Sequence, residues 1–439
     1  MIKRILVALF VIVSNVIYGQ TNDYSLSRCV KKAQENVSTQ IAQKRISLTK
    51  KEATEAKGAF IPNLLLSNQH NLSTGRVLDP TTYQFLTNRT VYDMNASIGG
   101  SMTLFSGFER FHRVKKAELN VQAADINLEE IRNNLTLEVT RLFLKILMDK
   151  ESIEICDNKI SLLKKQENLI AKKVEYQSAT QGDLMYIQAD IVRAQVERSA
   201  SLSELNLDKV SMCELLEIDD WEHFDVVFDE EFIEPRIWSI SEVITNASRL
   251  PQIRQKEIAI ELAKRDVMMA SASYWPTIKL NAGYGSTFSN ARIKSSGGEY
   301  NFYDQVRDNM SSYVTLSLTI PILSAITVSQ SVKAQKHAVQ SSELELQKTL
   351  YSLDKEVKQA IVRVNTAYEK YRLLAQGVEK GTEALRQTEV KFNAGAATYY
   401  DYQIAVSNLF QAQAERLRAQ YEYVYRTKIM DFYSGNSQY

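Results

Sequence analysis

LEEIRNNLTLEVTRLFLKILMDKESIEICDNKISLL, residues 128–163, is the stretch on which the fold turns. Leu128, Ile131, Leu135, Val139, Leu142 and Ile146 recur at steps of three and four, and Ile153, Cys156, Ile160 and Leu163 carry the stripe on. That is the spacing of one helix face. Leu137, Leu144 and Leu147 lie off the stripe and make a second seam, so the helix has neighbours on both flanks, as in a wall of helices. Neither glycine nor proline occurs from Phe108 to Gln181. At about 1.5 Å per residue such a helix is roughly 100 Å long, far beyond the usual three or four turns.

Residues 1–20 read as an export signal. Lys3 and Arg4 give a basic start, 5–17 an apolar core too short to span a bilayer, and Gly19-Gln20 a cleavage point. A membrane anchor is the competing reading of the same residues. Beyond them no run of about eighteen apolar residues occurs, so membrane contact has to be made by strands. The 53 Lys and Arg nearly balance the 52 Asp and Glu, which argues against nucleic acid as a partner. Cys29, Cys156 and Cys213 are far apart and odd in number, which suits apolar packing better than a disulfide.

The order of elements then runs twice. Residues 24–58 have helical spacing and stop at Phe60-Ile61-Pro62, because proline lacks the donor a continuing helix needs. Extended runs follow at 63–72 and 91–104, separated by a polar loop, 73–90. In the second run Tyr92, Met94, Ala96, Ile98, Met102 and Leu104 alternate with Asp93, Asn95, Ser97, Ser101 and Thr103. Period two is a strand with one apolar and one polar face. The long helix breaks at 178–182 and a return helix covers 184–217. An acidic segment, 221–235, contains a short strand candidate at 226–228.

The second pass is helical over 239–273, stops at Tyr274-Trp275-Pro276 and alternates over 277–288 and 312–322. A long helix at 327–391, interrupted by Gly377 and Gly381, a tip at 393–397 and a last helix at 400–431 complete it. Pro62 superposes on Pro276, residues 104–107 on 322–325, and Tyr176 on Phe392 with Ala189 on Ala405. The chain therefore reads as an internal duplication, with a first repeat over 21–235 and a second over 236–439.

Each repeat offers two strands long enough, at roughly 9 to 11 tilted residues, to cross an outer membrane. Four strands cannot close a barrel, and an open sheet in lipid leaves backbone groups unpaired at several kcal/mol each. The fold class that follows is mainly α with membrane β. It is a long α-helical coiled-coil barrel plus a transmembrane β-barrel, four strands per chain, completed by oligomerisation. A soluble sandwich with one wet face is the other reading of the same strands.

Five runs of three kinds resemble the TolC family of outer-membrane efflux proteins, and the resemblance covers nearly the whole chain after the signal. They are the strand entries Phe60-Ile61-Pro62-Asn63 and Tyr274-Trp275-Pro276-Thr277, the strand exits Leu104-Phe105-Ser106-Gly107 and Pro321-Ile322-Leu323-Ser324, and the tip Phe392-Asn393-Ala394-Gly395-Ala396-Ala397-Thr398-Tyr399-Tyr400-Asp401-Tyr402. The tip matches the family's aromatic, two residues, glycine, then a carboxylate six further on. In the first copy, from Tyr176, Ala179 stands for the glycine and Met185 for the carboxylate, with Asp183 two residues away.

The resemblance implies a homotrimer in outer-membrane lipid, helices reaching into the periplasm, and an equatorial band near 221–235. It also implies a tip that stays shut until a periplasmic adaptor protein and an inner-membrane pump of RND or ABC type engage it. The gate residues it points to are Tyr176, Asp183, Phe392, Gly395, Tyr399, Tyr400 and Asp401. The family's lock of aspartate, tyrosine and arginine is incomplete here. Phe392 stands at the tyrosine position and Ala397 at the arginine, and of two aspartates only Asp401 remains, with Ile404 at the other. Closure is expected to rest on packing of Phe392, Tyr399 and Tyr400, with Asp183 and Asp401 adding charge. The alternative is that these residues only pack a turn.

His70, His112, His223 and His337 are scattered without metal-ligand spacing, and no nucleophile elbow, phosphate loop or dinucleotide fingerprint occurs. The chain is expected to need no cofactor and to catalyse nothing. The function expected is a passive exit channel of a tripartite export system, for multidrug efflux or type I secretion. A soluble periplasmic coiled-coil adaptor or scaffold is the rival from another class.

Overall fold

The apolar stripe of residues 128–163 lies on one helix of 67 residues, Glu109–Glu175. Val139, Leu142, Ile146, Ile160 and Leu163 of the first seam are buried, and so are Leu144 and Leu147 of the second. The computed structural model describes residues 22–78, 83–227, 236, 238–294, 298, 300–323 and 325–435. The export signal, Ser324, and the part of the acidic segment from 228 to 235 lie outside them.

In chain order the elements are β1 (Asn22–Tyr24), α1 (Leu26–Ala33), α2 (Val37–Gly58), β2 (Asn63–Leu78), β3 (Phe85–Ser106) and α3 (Glu109–Glu175). Next come α4 (Gln181–Leu216), β4 (Phe224–Val226), α5 (Ile240–Ala247), α6 (Pro251–Ala272) and β5 (Thr277–Ser289). α7 (Phe302–Asp308), β6 (Ser311–Thr319), α8 (Ala325–Asn393) and α9 (Tyr399–Ser434) follow. Among the described residues no helix is long and apolar enough to cross a membrane.

The described chain divides into two compact units. The first is Lys44–Ile126 with Arg254–Gln347. It holds an antiparallel sheet in the order β2-β3-β5-β6. The register puts Leu66 opposite Ile98, Ile98 opposite Tyr284, Met102 opposite Leu280, and Leu280 opposite Leu316. Directly opposed residues share a face, so one apolar face runs across all four strands. Asn95, Ser97, Ser101, Asn281, Thr315 and Ser317 fall on the other face. The apolar face is bare: Leu66 is 81% and Leu316 65% exposed. A sandwich buries that face, so the soluble reading of the strands does not hold.

The second unit is Met1–Gln43, Asn127–Ile253 and Lys348–Tyr439. Its core gathers Cys29 of α1, Phe143 and Ile146 of α3, Met212 of α4, Phe224 of β4 and Leu417 of α9. β1 and β4 pair in parallel, with Tyr24 opposite Val226. All three cysteines are free. Burial pushes the Cys29 thiol up to about 12 and the Cys213 thiol up to about 11, which keeps both protonated as apolar packers.

Several boundaries differ from the sequence expectation. The polar stretch 73–90 is mostly strand, because β2 and β3 continue to Leu78 opposite Phe85. Backbone pairing carries the hairpin outward where side-chain alternation fades, past an irregularity after Gly75, whose φ is +115°. β6 ends at Thr319 rather than 322, since Pro321 has no N–H to donate. The helix expected over 24–58 is two, because Thr39 turns its hydroxyl back to the Gln34 and Asn36 carbonyls at 2.8 and 2.7 Å and Asn36 accepts from Thr39 N. The helix expected over 239–273 breaks at 248–250, with Pro251 opening α6 where its missing donor costs nothing.

α8 is not interrupted at Gly377 or Gly381. At Gly381 the helix runs beside Leu409, which would stand at ordinary contact distance, 3.5 Å, from an added Cβ. The loop expected between the last two strands contains α7, capped by Asn301 and fixed through the buried Gln305, which donates to the Ser289 and Tyr300 carbonyls at 2.9 Å.

Candidate functional site

The helix tips are built by two turns of the same construction. At the end of α3 Gln177 takes φ 57°, and at the end of α8 Gly395 takes φ 75°. Each closes its helix with a wide turn, Ser178 N donating to Lys173 O at 2.7 Å and Ala396 N donating to Lys391 O at 2.8 Å. This is the left-handed end that favours glycine. Thr180 then caps α4 and Thr398 caps α9. Thr180 Oγ1 accepts from Asp183 N at 3.1 Å while the Thr180 N–H and hydroxyl donate to Asp183 Oδ2 at 3.0 and 2.8 Å. Thr398 and Asp401 repeat this box at 3.2, 2.9 and 2.7 Å. The hydroxyl and backbone of Thr398 hold the Asp401 carboxyl below its ordinary range.

These boxes correct the expected superposition of the tips. Gln177 corresponds to Gly395 and Asp183 to Asp401, so Tyr176 falls on Ala394 and Val174 on Phe392. The capping carboxylate is thus present in both copies, as Asp183 and Asp401.

Above the turns lies an apolar cluster of Ile170, Ile187, Leu385, Phe392, Tyr402 and Val406. The Phe392 ring stacks on Tyr402 with centroids 5.4 Å apart and meets Tyr399 edge-on at 6.4 Å. Lys173 of α3 sits 4.5 Å over the Phe392 ring and donates to the Phe392 carbonyl at 3.4 Å. The Tyr399 hydroxyl donates to Asp190 Oδ2 of α4 at 3.0 Å. Burial, then Asp190, pushes the Tyr399 phenol well above its ordinary range, so it remains a donor. Burial likewise pushes Tyr402 up to about 12.

The seven residues expected at the gate thus separate into three groups. Phe392 and Tyr399 are brought together in the cluster. Asp183, Asp401 and Gly395 shape the turns. Tyr176, 79% exposed, and Tyr400, 69% exposed, point away from this packing. Sequence reading missed Tyr402, Lys173 and Asp190. Tyr402 was legible as the next step of the stripe Tyr399, Tyr402, Val406, Leu409, whereas Lys173 and Asp190 belong to other helices and carried no local signal.

The histidines are placed apart. His70 Nδ1 lies 2.7 Å from the Tyr92 hydroxyl on the sheet, His337 is by Gln340, and His223 is held by Asp220 at 3.0 Å, which raises its pKa. Among the described residues no three His, Cys, Asp or Glu side chains are grouped to hold a metal ion.

Residues 245–428 match the outer membrane efflux protein family. The chain is 22% identical over 393 residues to the alkaline protease secretion protein AprF of Pseudomonas aeruginosa, covering 86% of this chain and 77% of AprF. It is 20% identical over 312 residues to the outer membrane protein TolC of Vibrio cholerae, covering 70% and 69%. The crystal structure of the outer membrane protein VceC of Vibrio cholerae superposes with a TM-score of 0.78 at 15% identity, over 93% of this chain and 96% of VceC. That likeness shows the fold, long coiled-coil helices with four strands per chain, and so the class expected from the sequence.

Proposed function

For a chain that belongs to the TolC family of outer-membrane efflux proteins, we propose the role of passive exit duct in a tripartite export system, closed at its periplasmic tip. The protein is an outer-membrane efflux channel, with its long helices in the periplasm. The observation that carries the finer reading is the four-stranded sheet. Among the described residues it has an apolar face bare across its width and two edge strands without a further partner, β2 and β6. Such a sheet is stable in lipid only when other copies close it, and three copies, as a homotrimer, make a barrel of the usual size.

The polar face then lines the lumen, and 21–235 and 236–439 act as two repeats around one conduit. The near-identical capped tip turns support that duplication. No residue is assigned a catalytic role, and family members are channels. A periplasmic adaptor and an inner-membrane pump of RND or ABC type complete the path. AprF carries a protein-secretion name and TolC does not specify a cargo, so both multidrug efflux and type I secretion stay within the proposal.

Closure by packing is supported by Phe392 and Tyr399, which hold α8 and α9 to α3 and α4 within a chain. Tyr176 and Tyr400 are exposed within the chain, and on this proposal they contact neighbouring copies. Fractionation tests the whole reading: outer-membrane recovery with heat-resistant oligomers on a gel is expected, and a monomer soluble without detergent points to the periplasmic scaffold instead. For the gate, reconstituted Asp401→Ala and Tyr400→Ala channels are expected to conduct more than the parent. Unchanged conductance in both removes those residues from it.

A further inference from the structure

Away from the tip, one polar seam interrupts the packing between α3 and α4. Asp149 and Asp208 are only 7% and 6% exposed, depths at which a carboxylate requires a partner. Asp208 has one: Lys145 Nζ donates to its Oδ1 at 2.9 Å, and although Nζ also stands 2.8 Å from Oδ2, that oxygen receives no hydrogen bond. Asp149 lies one helical turn beyond Lys145, with its side chain in hydrogen-bonding reach of Asp208, yet its buried Oδ2 receives no donor.

The surrounding charge does not balance two carboxylates. Lys145 is the cation that acts on Asp149 from its own helix, and α4 contributes Asp208 and the more exposed Glu204, 3.6 Å from Lys145. Arg141, two turns before Asp149, acts on Asp208. Two buried acceptors facing one another are satisfied by a single proton between them, which turns Asp149 into a donor.

We propose that Asp149 is protonated in the folded chain and donates to the Asp208 carboxylate, making the α3–α4 seam a proton-operated clamp. Loss of that proton leaves two buried anions sharing Lys145 and loosens the seam. Burial first, and then Asp208, pushes the Asp149 carboxyl up from 3.8 to about 7, in keeping with this arrangement. The folded chain therefore holds the proton more tightly than the unfolded one. Its stabilising effect is complete below the ordinary aspartate range, declines as pH rises, and is lost above about 7.

Thermal unfolding of the full chain in detergent, followed by far-ultraviolet dichroism, tests the clamp. A Tm several degrees lower at about pH 8.5 than at about pH 5 is expected. Asp149→Asn keeps a donor toward Asp208 without a titrating proton, so most of that fall should vanish. An equal fall in parent and variant overturns the proposal. Infrared difference spectra, parent minus Asp149→Asn, give a second reading that cancels the other carboxyls of the chain. A carboxylic-acid carbonyl band present at about pH 5 and lost at about pH 8.5 is expected, and its absence at the lower pH overturns the proposal as well.

Discussion

Tyr399 and Asp190 join the start of α9 to α4 through one hydrogen bond of 3.0 Å. Arg193 stands 3.3 Å from the other Asp190 oxygen but is largely exposed, so that ion pair adds little. Tyr399→Phe keeps the ring in the cluster and deletes the bond. A loss of about 1.5–3 kcal/mol in stability is expected for a partly buried neutral donor to a carboxylate. Denaturant unfolding reads the stability, and on the packing model of closure the reconstituted variant conducts more than its parent.

Phe392 is the larger determinant, being buried, stacked on Tyr402 and covered by Lys173. Phe392→Ala opens a cavity and removes the cation–π contact together, with an expected cost of about 3–5 kcal/mol. Phe392→Leu recovers much of the packing and none of the ring contact. Their difference in denaturation midpoint separates the two contributions.

Gly107 joins β3 to α3 at φ 62°, and a Cβ there collides with the Ala272 carbonyl and lies 2.9 Å from Trp275 Cβ. Both the left-handed backbone and the close approach of α6 require glycine. Gly107→Ala is expected to cut the yield of folded, membrane-assembled protein severely, whereas Gly58→Ala, with open space around it, leaves it near the parental level. Immunoblotting of outer-membrane fractions distinguishes them.

Adjacent residues of β6 give the sidedness test. Leu316 belongs to the bare apolar face and Thr315 to the polar one. Leu316→Arg places a charge in lipid at about 2–4 kcal/mol, and Thr315→Arg places it in water. Assembly should fail for the first and proceed for the second, with altered ion selectivity. Equal behaviour refutes the assignment of faces.

The long helices and the strand faces were legible because their apolar residues repeat at 3.6 and 2 over many residues, as in the stripe of α3 and the alternation from Tyr92 to Met102. What escaped was governed by partners distant in sequence. Gly377 and Gly381 read as breakers although the helix continues through both, and 73–90 read as a loop because strand pairing needs no apolar side chain. At the tips the aromatic residues do not recur in register, since Val174 stands where Phe392 does. The recurring element was the threonine–aspartate cap, and Gln177 filled a glycine position in a way only its backbone angle reveals.

The outer edges of β2 and β6 leave the final backbone hydrogen bonds of this chain to be made by a neighbour. Its folding free energy is therefore a function of how many chains share the bilayer, and dilution is itself a denaturant. Point changes that weaken those rims should show their effect first at low expression, and recover as the copy number rises.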